Sequence, residues 1–273
     1  MTRAILWGAV GAIVSAAVFA GGFLAGRPGP VNAAYDVSGV EQVASNEKLD
    51  RKAVEGVVRD YLLANPEVLL DVQQALEAKQ KEEQKVAQLG VIKDNKGKIF
   101  NSANDGIVGN PNGKVTIVEF FDYNCGFCKR AIEDMQAITA AQPDLRFVLK
   151  EFPILGPDSQ KASVVSMAFH KMMPEKYGEF HNQLLGGHGR ASEATAIKIA
   201  VSLGADEAKL REAMKDPSIG DIFNETYDLA NKLAITGTPS YVIGDEVVFG
   251  AQGLEVLNEK LAAAKGACAT TAC

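Results

Sequence analysis

Hydrophobic residues recur at helical intervals over two consecutive segments in the first third of the chain. Residues 48–64 place valine and leucine three and four positions apart. Asn-Pro-Glu at 65–67 then supplies a capping residue, a proline for the first helical position and an acid, which predicts a second helix ending at Gly90. Each apolar stripe is too narrow to form a core alone, so it must pack on the main domain or on another copy of the chain.

The pattern changes after this helical pair. Residues 93–114 are rich in turn-forming residues, and Asn-Pro-Asn-Gly at 110–113 marks the entry to a strand. Residues 115–121 (VTIVEFF) are β-branched and aromatic and predict a strand, after which a helix is expected to begin near Cys125. A second strand is predicted over 145–152, where Pro153 ends it.

The remaining chain predicts a helical block and then a hairpin. Residues 157–217 are helical in pattern almost throughout, and one more helix follows them. A β-hairpin is expected around Gly244-Asp245, and a final helix and short tail close the chain. The order predicts an α/β domain over about residues 100–273, with one small sheet flanked by helices and a helical insertion in the middle.

The first residues indicate export. About 22 uncharged residues between Arg3 and Arg27 are enough to cross a bilayer. Val31 and Ala33 are small residues of the kind a signal peptidase selects. Residues 1–33 are therefore predicted to be a cleaved signal peptide or a membrane anchor, and the two remain open.

Composition narrows the function classes. The 273-residue chain has a net charge of −6 and a pI near 5.3, which argues against a nucleic-acid-binding surface. Its four cysteines form two close pairs, Cys125 with Cys128 and Cys268 with Cys273. An even count fits an exported protein, but four is too few for a disulfide scaffold of this length.

The position of the first pair indicates redox chemistry. Cys125 follows a strand and starts a helix, where free N–H groups and the helix dipole favour a thiolate. We therefore expect Cys125 to be the nucleophile and Cys128, one turn later, to be the resolving thiol. Two alternatives remain: a zinc site completed by Cys268 and Cys273, or a structural disulfide.

With the Gly-Thr-Pro that precedes the hairpin, the chain resembles the DsbA-like branch of the thioredoxin superfamily. The matching motifs stand in the family's order at residues 119–121, 125–128, 150–153 and 237–239. The resemblance implies a thioredoxin fold with a helical insertion, a cis proline at Pro239 facing the cysteines, and disulfide exchange with cysteine-containing proteins without a cofactor or metal. It also implies that Glu119 is a buried acid assisting proton transfer at Cys128; the alternative is that Glu119 points to solvent.

The helical segment before the domain looks like the N-terminal region of ScsC-type members of this branch. That resemblance implies a homo-oligomer, such as a trimer, through residues 48–89, and disulfide isomerase activity. Gly126, Phe127, Thr238 and Pro239 are expected to line a substrate groove. No histidine lies between the cysteines, so we expect a milder oxidant than DsbA. Oxidase and isomerase remain open, and either requires a membrane partner that resets the pair.

The expected domains are 1–33 as signal or anchor, 34–98 as linker and helical region, 99–267 as the DsbA-like domain, and 268–273 as a cysteine-containing tail. In the tail, Cys268 and Cys273 are expected to form a second disulfide, with a relay dithiol or copper(I) site as alternatives. Three histidines lie in the helical block, at 170, 181 and 188; two are expected to face solvent, and no catalytic or metal role is expected. The alternative function is a copper-tolerance-linked chaperone or metal-binding protein that uses the cysteines as ligands.

Overall fold

A computed structural model describes residues 50–270, with side chains up to residue 266. The predicted signal or anchor at 1–33 and the predicted second disulfide therefore lie outside the described residues. Within 50–270, no helix combines the length and apolar character needed to cross a membrane. The chain divides into two compact units, one ending at Pro66 and the other beginning at Glu67.

The described part of the first unit is one helix, α1 (Arg51–Ala64). Asp50 caps its N-terminus, where its carboxylate accepts a hydrogen bond from the N–H of Lys52. The helix ends at Ala64, as the sequence predicts. It buries no residue, and the valines of its apolar stripe are exposed.

The second unit opens with α2 (Glu67–Asp94), and the predicted end at Gly90 is wrong. Gly90 costs a helix about 1 kcal/mol relative to alanine, which tertiary contacts can offset. Those contacts lie on both sides of it: Ile92 is completely buried, and the buried Gln88 donates from Nε2 to the Leu233 carbonyl at 2.7 Å. The helix therefore continues for four residues beyond the glycine.

The sheet has five strands in the order β1-β3-β2-β4-β5. They are β1 (Gly106–Gly109), β2 (Val115–Phe121), β3 (Leu145–Glu151), β4 (Ser240–Ile243) and β5 (Glu246–Phe249). β2 and β3 are parallel, whereas β1 pairs antiparallel with β3, and β4 pairs antiparallel with β2 and β5. The predicted strands and the hairpin turn at Gly244-Asp245 are confirmed.

The turn-rich segment 93–114 contains two short elements that its sequence pattern does not indicate. It holds a short helix, α3 (Lys96–Phe100), and the edge strand β1. Two of the four residues of β1 are glycines, so the strand has no apolar alternation to reveal it. Its backbone is ordered by pairing with β3, which lies 36 or more residues later in the chain.

The helical prediction for residues 157–217 is confirmed, and each break between helices falls at a turn. The helices after β2 are α4 (Gly126–Ala141), α5 (Pro157–Met172), α6 (Tyr177–Leu185), α7 (Glu193–Ser202), α8 (Glu207–Ala213), α9 (Ser218–Lys232) and α10 (Leu254–Thr270), with a 3-10 turn at Pro174–Lys176. α5 to α8 form the predicted insertion between β3 and β4.

Successive residues of β2 point to opposite faces of the sheet, and each face has its own core. On one face, Ile117 and Phe121 pack with α4 and the helical insertion. On the other, Val118 and Phe120 pack with α9 and with Ile92 and Ile99 from the start of the second unit. The predicted α/β architecture with a helical insertion is thereby confirmed, and the cysteine helix lies on the first face.

Candidate active site

Cys125 is the N-cap of α4, the helix that covers the first face of the sheet. Its Sγ accepts a hydrogen bond from the N–H of Cys128 at 3.4 Å and lies 3.1 Å from the carbonyl oxygen of Thr238. A hydrogen bond from the Cys128 thiol is the largest cause that lowers the pKa of Cys125 to about 5, against the opposing effect of burial. Most Cys125 side chains are therefore thiolates at neutral pH.

Cys128 has the opposite character. It is completely buried, and this burial is the main cause that raises its pKa far above the usual range. The hydrogen bond that it donates to Cys125 and the charge of Glu119 raise its pKa further. The pair is therefore asymmetric, with one reactive thiolate and one protonated thiol. Both are free thiols in this structure.

Glu119 lies on β2 behind the pair and is 3 % exposed. It belongs to the same face of the sheet as Ile117 and Phe121, the face that α4 covers. Burial and then the nearby charge of Cys125 raise its pKa to about 8. The expectation that Glu119 is buried is confirmed, and the alternative that it points to solvent is wrong.

The structure brings the predicted groove residues to the cysteines. The Thr238–Pro239 peptide bond is cis, as the resemblance implies, and it leads directly into β4. The Pro239 carbonyl accepts from the N–H of Gly250 at 2.9 Å, which ties this loop to the end of β5. Gly126 and Phe127 form the first turn of α4 beside Cys125.

Phe127 is 59 % exposed although it lies between two buried cysteines. The guanidinium carbon of Arg130 lies 4.3 Å from the centre of its ring, so one face of the ring carries a cation. Phe127 thus presents an exposed aromatic ring in the first turn of the helix that Cys125 caps.

Sequence reasoning did not identify Asp122 and Glu151 as buried carboxyl groups. Asp122 is completely buried in the loop between β2 and α4. Glu151, at the end of β3, lies on the same face as Glu119, and burial raises its pKa to about 8. Its Oε1 accepts a hydrogen bond from Tyr177 at 3.3 Å. The adjacency of Asp122 to the cysteine motif was the only available signal for it.

The histidines differ from the expectation that two of them face solvent. Only His188 is exposed, and His170 is half-buried. His181 is completely buried against the rings of Phe121 and Tyr123, and burial lowers its pKa to about 3. It packs as a neutral ring. Within the part of the chain that the structure describes, no three His, Cys, Asp or Glu side chains group as a metal site.

Comparison with known proteins identifies the family. The DSBA-like thioredoxin domain matches residues 116–262, more than half of the chain. The chain belongs to this DsbA-like thioredoxin family. The Copper resistance protein ScsC N-terminal domain matches residues 50–83, so α1 and the first part of α2 correspond to that region of ScsC proteins.

Solved structures agree with this assignment. A thioredoxin-like oxidoreductase from Silicibacter pomeroyi DSS-3 is 37% identical, with a TM-score of 0.60 over 63% of this chain and 98% of the other. A linker-deletion mutant of ScsC from Proteus mirabilis is 27% identical, with a TM-score of 0.62 over 81% of this chain and 99% of the other. The fold is thus a DsbA-like thioredoxin fold preceded by an ScsC-type helical segment.

Three curated relatives match part of the chain. Disulfide bond formation protein D of Bacillus subtilis is 26% identical over 155 residues, which cover 52% of this chain and 68% of that protein. Two Na(+)/H(+) antiporters, from Salinispora tropica and Salinispora arenicola, are 23% and 24% identical. The chain spans about a quarter of the length of these two antiporters.

Proposed function

We propose that this protein is an exported thiol-disulfide oxidoreductase that forms or isomerises disulfides in periplasmic proteins. Its DsbA-like family is one of thiol-disulfide oxidoreductases. The observation that carries the proposal is the asymmetry of the pair: the pKa of Cys125 is lowered to about 5, and burial keeps Cys128 protonated beside it. We also propose that the chain consists of a signal or anchor over 1–33, a linker and helical region over 34–98, the DsbA-like domain over 99–267, and a tail over 268–273.

In the oxidising direction, a substrate thiolate attacks Sγ of Cys125 in the Cys125–Cys128 disulfide. The S–S bond breaks, a mixed disulfide forms at Cys125, and Cys128 leaves with the electron pair. Glu119, protonated at neutral pH because its pKa is about 8, gives its proton to that sulfur. A second substrate thiolate then attacks the substrate sulfur and releases Cys125 as a thiolate, which its low pKa makes a good leaving group.

Trapping of the mixed disulfide tests these roles. In a Cys268→Ser/Cys273→Ser background, the Cys125 thiolate of Cys128→Ser should attack a cysteine-containing peptide supplied as its mixed disulfide with glutathione. A Cys125–peptide disulfide should accumulate, and glutathione should leave as the thiolate. Cys125→Ser should accumulate none, because the remaining sulfur is buried. Equal trapping by both variants, or trapping at Cys128 alone, would contradict the assignment. Non-reducing mass spectrometry identifies the sulfur involved.

Oxidase and isomerase roles differ in which form of the pair dominates. An isomerase must keep Cys125 reduced to attack a wrong disulfide, whereas an oxidase must hold the disulfide and pass it on. Two measurements separate the roles. The first is the equilibrium of the pair with reduced and oxidised glutathione. The second compares refolding of scrambled ribonuclease, which needs an isomerase, with refolding of reduced ribonuclease, which needs an oxidase. We propose that a membrane protein resets the pair, by oxidation if the protein is an oxidase and by reduction if it is an isomerase.

We further propose that the protein assembles as a homo-oligomer, such as a trimer, through residues 48–89. Support comes from the match to the ScsC N-terminal domain and from apolar side chains of this segment that stay in solvent. In α2, Leu69, Val72 and Leu76 are each more than half exposed. A stripe of this kind is buried when helices of several copies pack together.

Light scattering at native concentration measures this assembly. Leu69→Lys/Leu76→Lys should lower the mass to that of one chain, whereas Gln74→Lys/Ala78→Lys, on the opposite face of the same helix, should not. A single-chain mass for the unaltered protein would contradict the proposal. The catalytic pair is unchanged by either double substitution, so single-turnover oxidation of a small peptide should be retained.

The ScsC N-terminal match favours one second candidate, a copper-tolerance protein that binds metal through its cysteines. A thiolate is a suitable soft ligand for copper(I). Stoichiometric copper(I) binding that requires Cys125 and Cys128, in a protein without disulfide exchange activity, would favour this candidate over the enzyme.

A further inference from the structure

The residue three positions before Cys125 contacts both cysteines through its main chain. The carbonyl oxygen of Asp122 accepts a hydrogen bond from the N–H of Cys125 at 3.0 Å. The Asp122 backbone also acts on the second cysteine, since it lowers the pKa of the Cys128 thiol against the larger effect of burial. A shift of the Asp122 backbone would therefore move donors and acceptors at both sulfurs together.

The side chain of Asp122 fixes this backbone. Its Oδ1 accepts from the N–H of Asn124 at 2.7 Å and from the Ser159 hydroxyl at 2.8 Å, and its Oδ2 accepts from the N–H of Leu155 at 2.9 Å. No Lys, Arg or His of the described chain forms an ion pair with it. A buried carboxylate without a cation is costly unless donors saturate it, so the three donors hold it firmly.

Asn124 extends the same network to a third loop. Its Nδ2 donates to the Ser159 hydroxyl at 3.0 Å and to the Ala191 carbonyl at 2.9 Å, and its Oδ1 accepts from the N–H of Ala191 at 2.8 Å. The strand-to-helix loop is thereby joined to the loop after β3 and to the loop before α7. Three loops around Cys125 are held as one unit by side chains of two residues.

We propose that Asp122 is a positioning residue for the redox pair: the three donors fix its carboxylate, and its main-chain groups then set the places of both sulfurs. This proposal rests on the proposed function. It assigns a role to a residue outside the Cys-Gly-Phe-Cys motif and outside the resemblance that predicted Glu119. Asp122 touches no substrate in this role and acts only through the cysteines.

In Asp122→Asn, removal of the negative charge and loss of the positioning would change the pKa of Cys125 in opposite directions. If Asp122 acted only as a negative charge, Asp122→Asn would make the Cys125 thiolate more favourable and lower its pKa. If Asp122 instead positions the loop, the amide that replaces its carboxylate would place its NH2 group against one of the three donors that now face a carboxylate oxygen. Because two donors cannot bond to each other, the loop would relax. Cys125 would then lose hydrogen bonds from the first turn of α4. The pKa of Cys125 then rises, and we expect about one unit, a tenfold change.

The measurement is thiolate absorbance at 240 nm against pH, with the glutathione equilibrium as second readout, in the Cys268→Ser/Cys273→Ser background. Asp122→Asn should raise the Cys125 pKa and shift the glutathione equilibrium about tenfold towards the disulfide form. Ser159→Ala, which removes one donor but keeps the charge, should shift both in the same direction by less. Ser163→Ala removes another buried serine hydroxyl from α5 and should shift neither.

Circular dichroism establishes that each variant is folded, and Ser159→Ala carries the test alone if Asp122→Asn does not fold. A lowered or unchanged Cys125 pKa in the folded variants would overturn the positioning role. A background protein that exchanges no disulfide at all would instead contradict the proposed function. The two failures are thus distinguishable.

Discussion

Replacement of Glu119 by glutamine should stabilise the reduced protein against unfolding, and the gain should increase with pH. The pKa of this carboxyl is about 8 in the folded protein and near 4.5 when it is exposed. The folded state therefore holds the proton more tightly than the unfolded state. The contribution of Glu119 to stability is therefore most favourable below pH 4.5 and is lost as pH rises towards 8, whereas an amide does not titrate.

The expected size follows from the shift of pKa. One unit corresponds to 1.36 kcal/mol, so the carboxyl lowers the free energy of unfolding by about 1 kcal/mol at pH 5 and by about 4 kcal/mol at pH 8. Since Glu119 is buried, solvent does not screen this effect. The stability difference between Glu119→Gln and wild type should therefore widen by about 3 kcal/mol between these two pH values.

Urea unfolding of the reduced proteins at pH 5, 6, 7 and 8, followed by far-UV circular dichroism, measures the difference. Glu151→Gln is the matched control, because that carboxyl is also buried and also has a pKa of about 8. It should reproduce the pH-dependent gain, but only Glu119→Gln should slow protonation of Cys128 in single-turnover exchange. A stability difference for Glu119→Gln that stays constant from pH 5 to 8 would refute the reasoning.

Three further substitutions test the packing of the domain on both faces of the sheet. In Gly106→Ala, the new Cβ would lie 1.7 Å from Cε1 of Tyr177, so the variant should lose most of its stability in a thermal melt. Ile99→Ala leaves a cavity in the second core and should cost about 2–5 kcal/mol in urea, while a loss under 1 kcal/mol would place Ile99 outside the core. Lys150→Met leaves the buried Asp105 without its cation and should cost about 3–5 kcal/mol at pH 8; replacing Asp105 by Asn as well should recover part of it.

The elements around the pair could be predicted because their local signals agree with their tertiary roles. Residues 115–121 are β-branched and aromatic, and they form the central strand β2. This strand pairs in parallel with β3 on one side and antiparallel with β4 on the other. Cys125 follows that strand and precedes a helical pattern, so its place at the helix N-terminus could be inferred without coordinates. Thr238-Pro239 was found because proline is restricted to strand ends and edges.

The missed features depend on contacts between distant residues. β1 is ordered by its pairing with β3, and α2 passes Gly90 because Gln88 and Ile92 are anchored in the domain. Asp122 follows a strand, and its sequence neighbours are typical of a turn. Two of the hydrogen-bond donors to its carboxylate come from the loop after β3 and from α5, which the local sequence does not reveal. Burial of polar residues is set by the assembled fold, which a local pattern does not contain.

The two faces of the sheet separate the cysteine pair from the attachment of α2 and α3. Glu119 and the cysteines lie on the face covered by α4, whereas Ile92 and Ile99 hold the end of α2 and α3 against the opposite face. Substitutions on the exposed stripe of α2 are therefore remote from the sulfurs and should leave the pKa of Cys125 unchanged. If dissociated and assembled forms then differ in disulfide isomerisation, the difference must come from how the copies present their sites to a substrate, because the chemistry of each pair is the same.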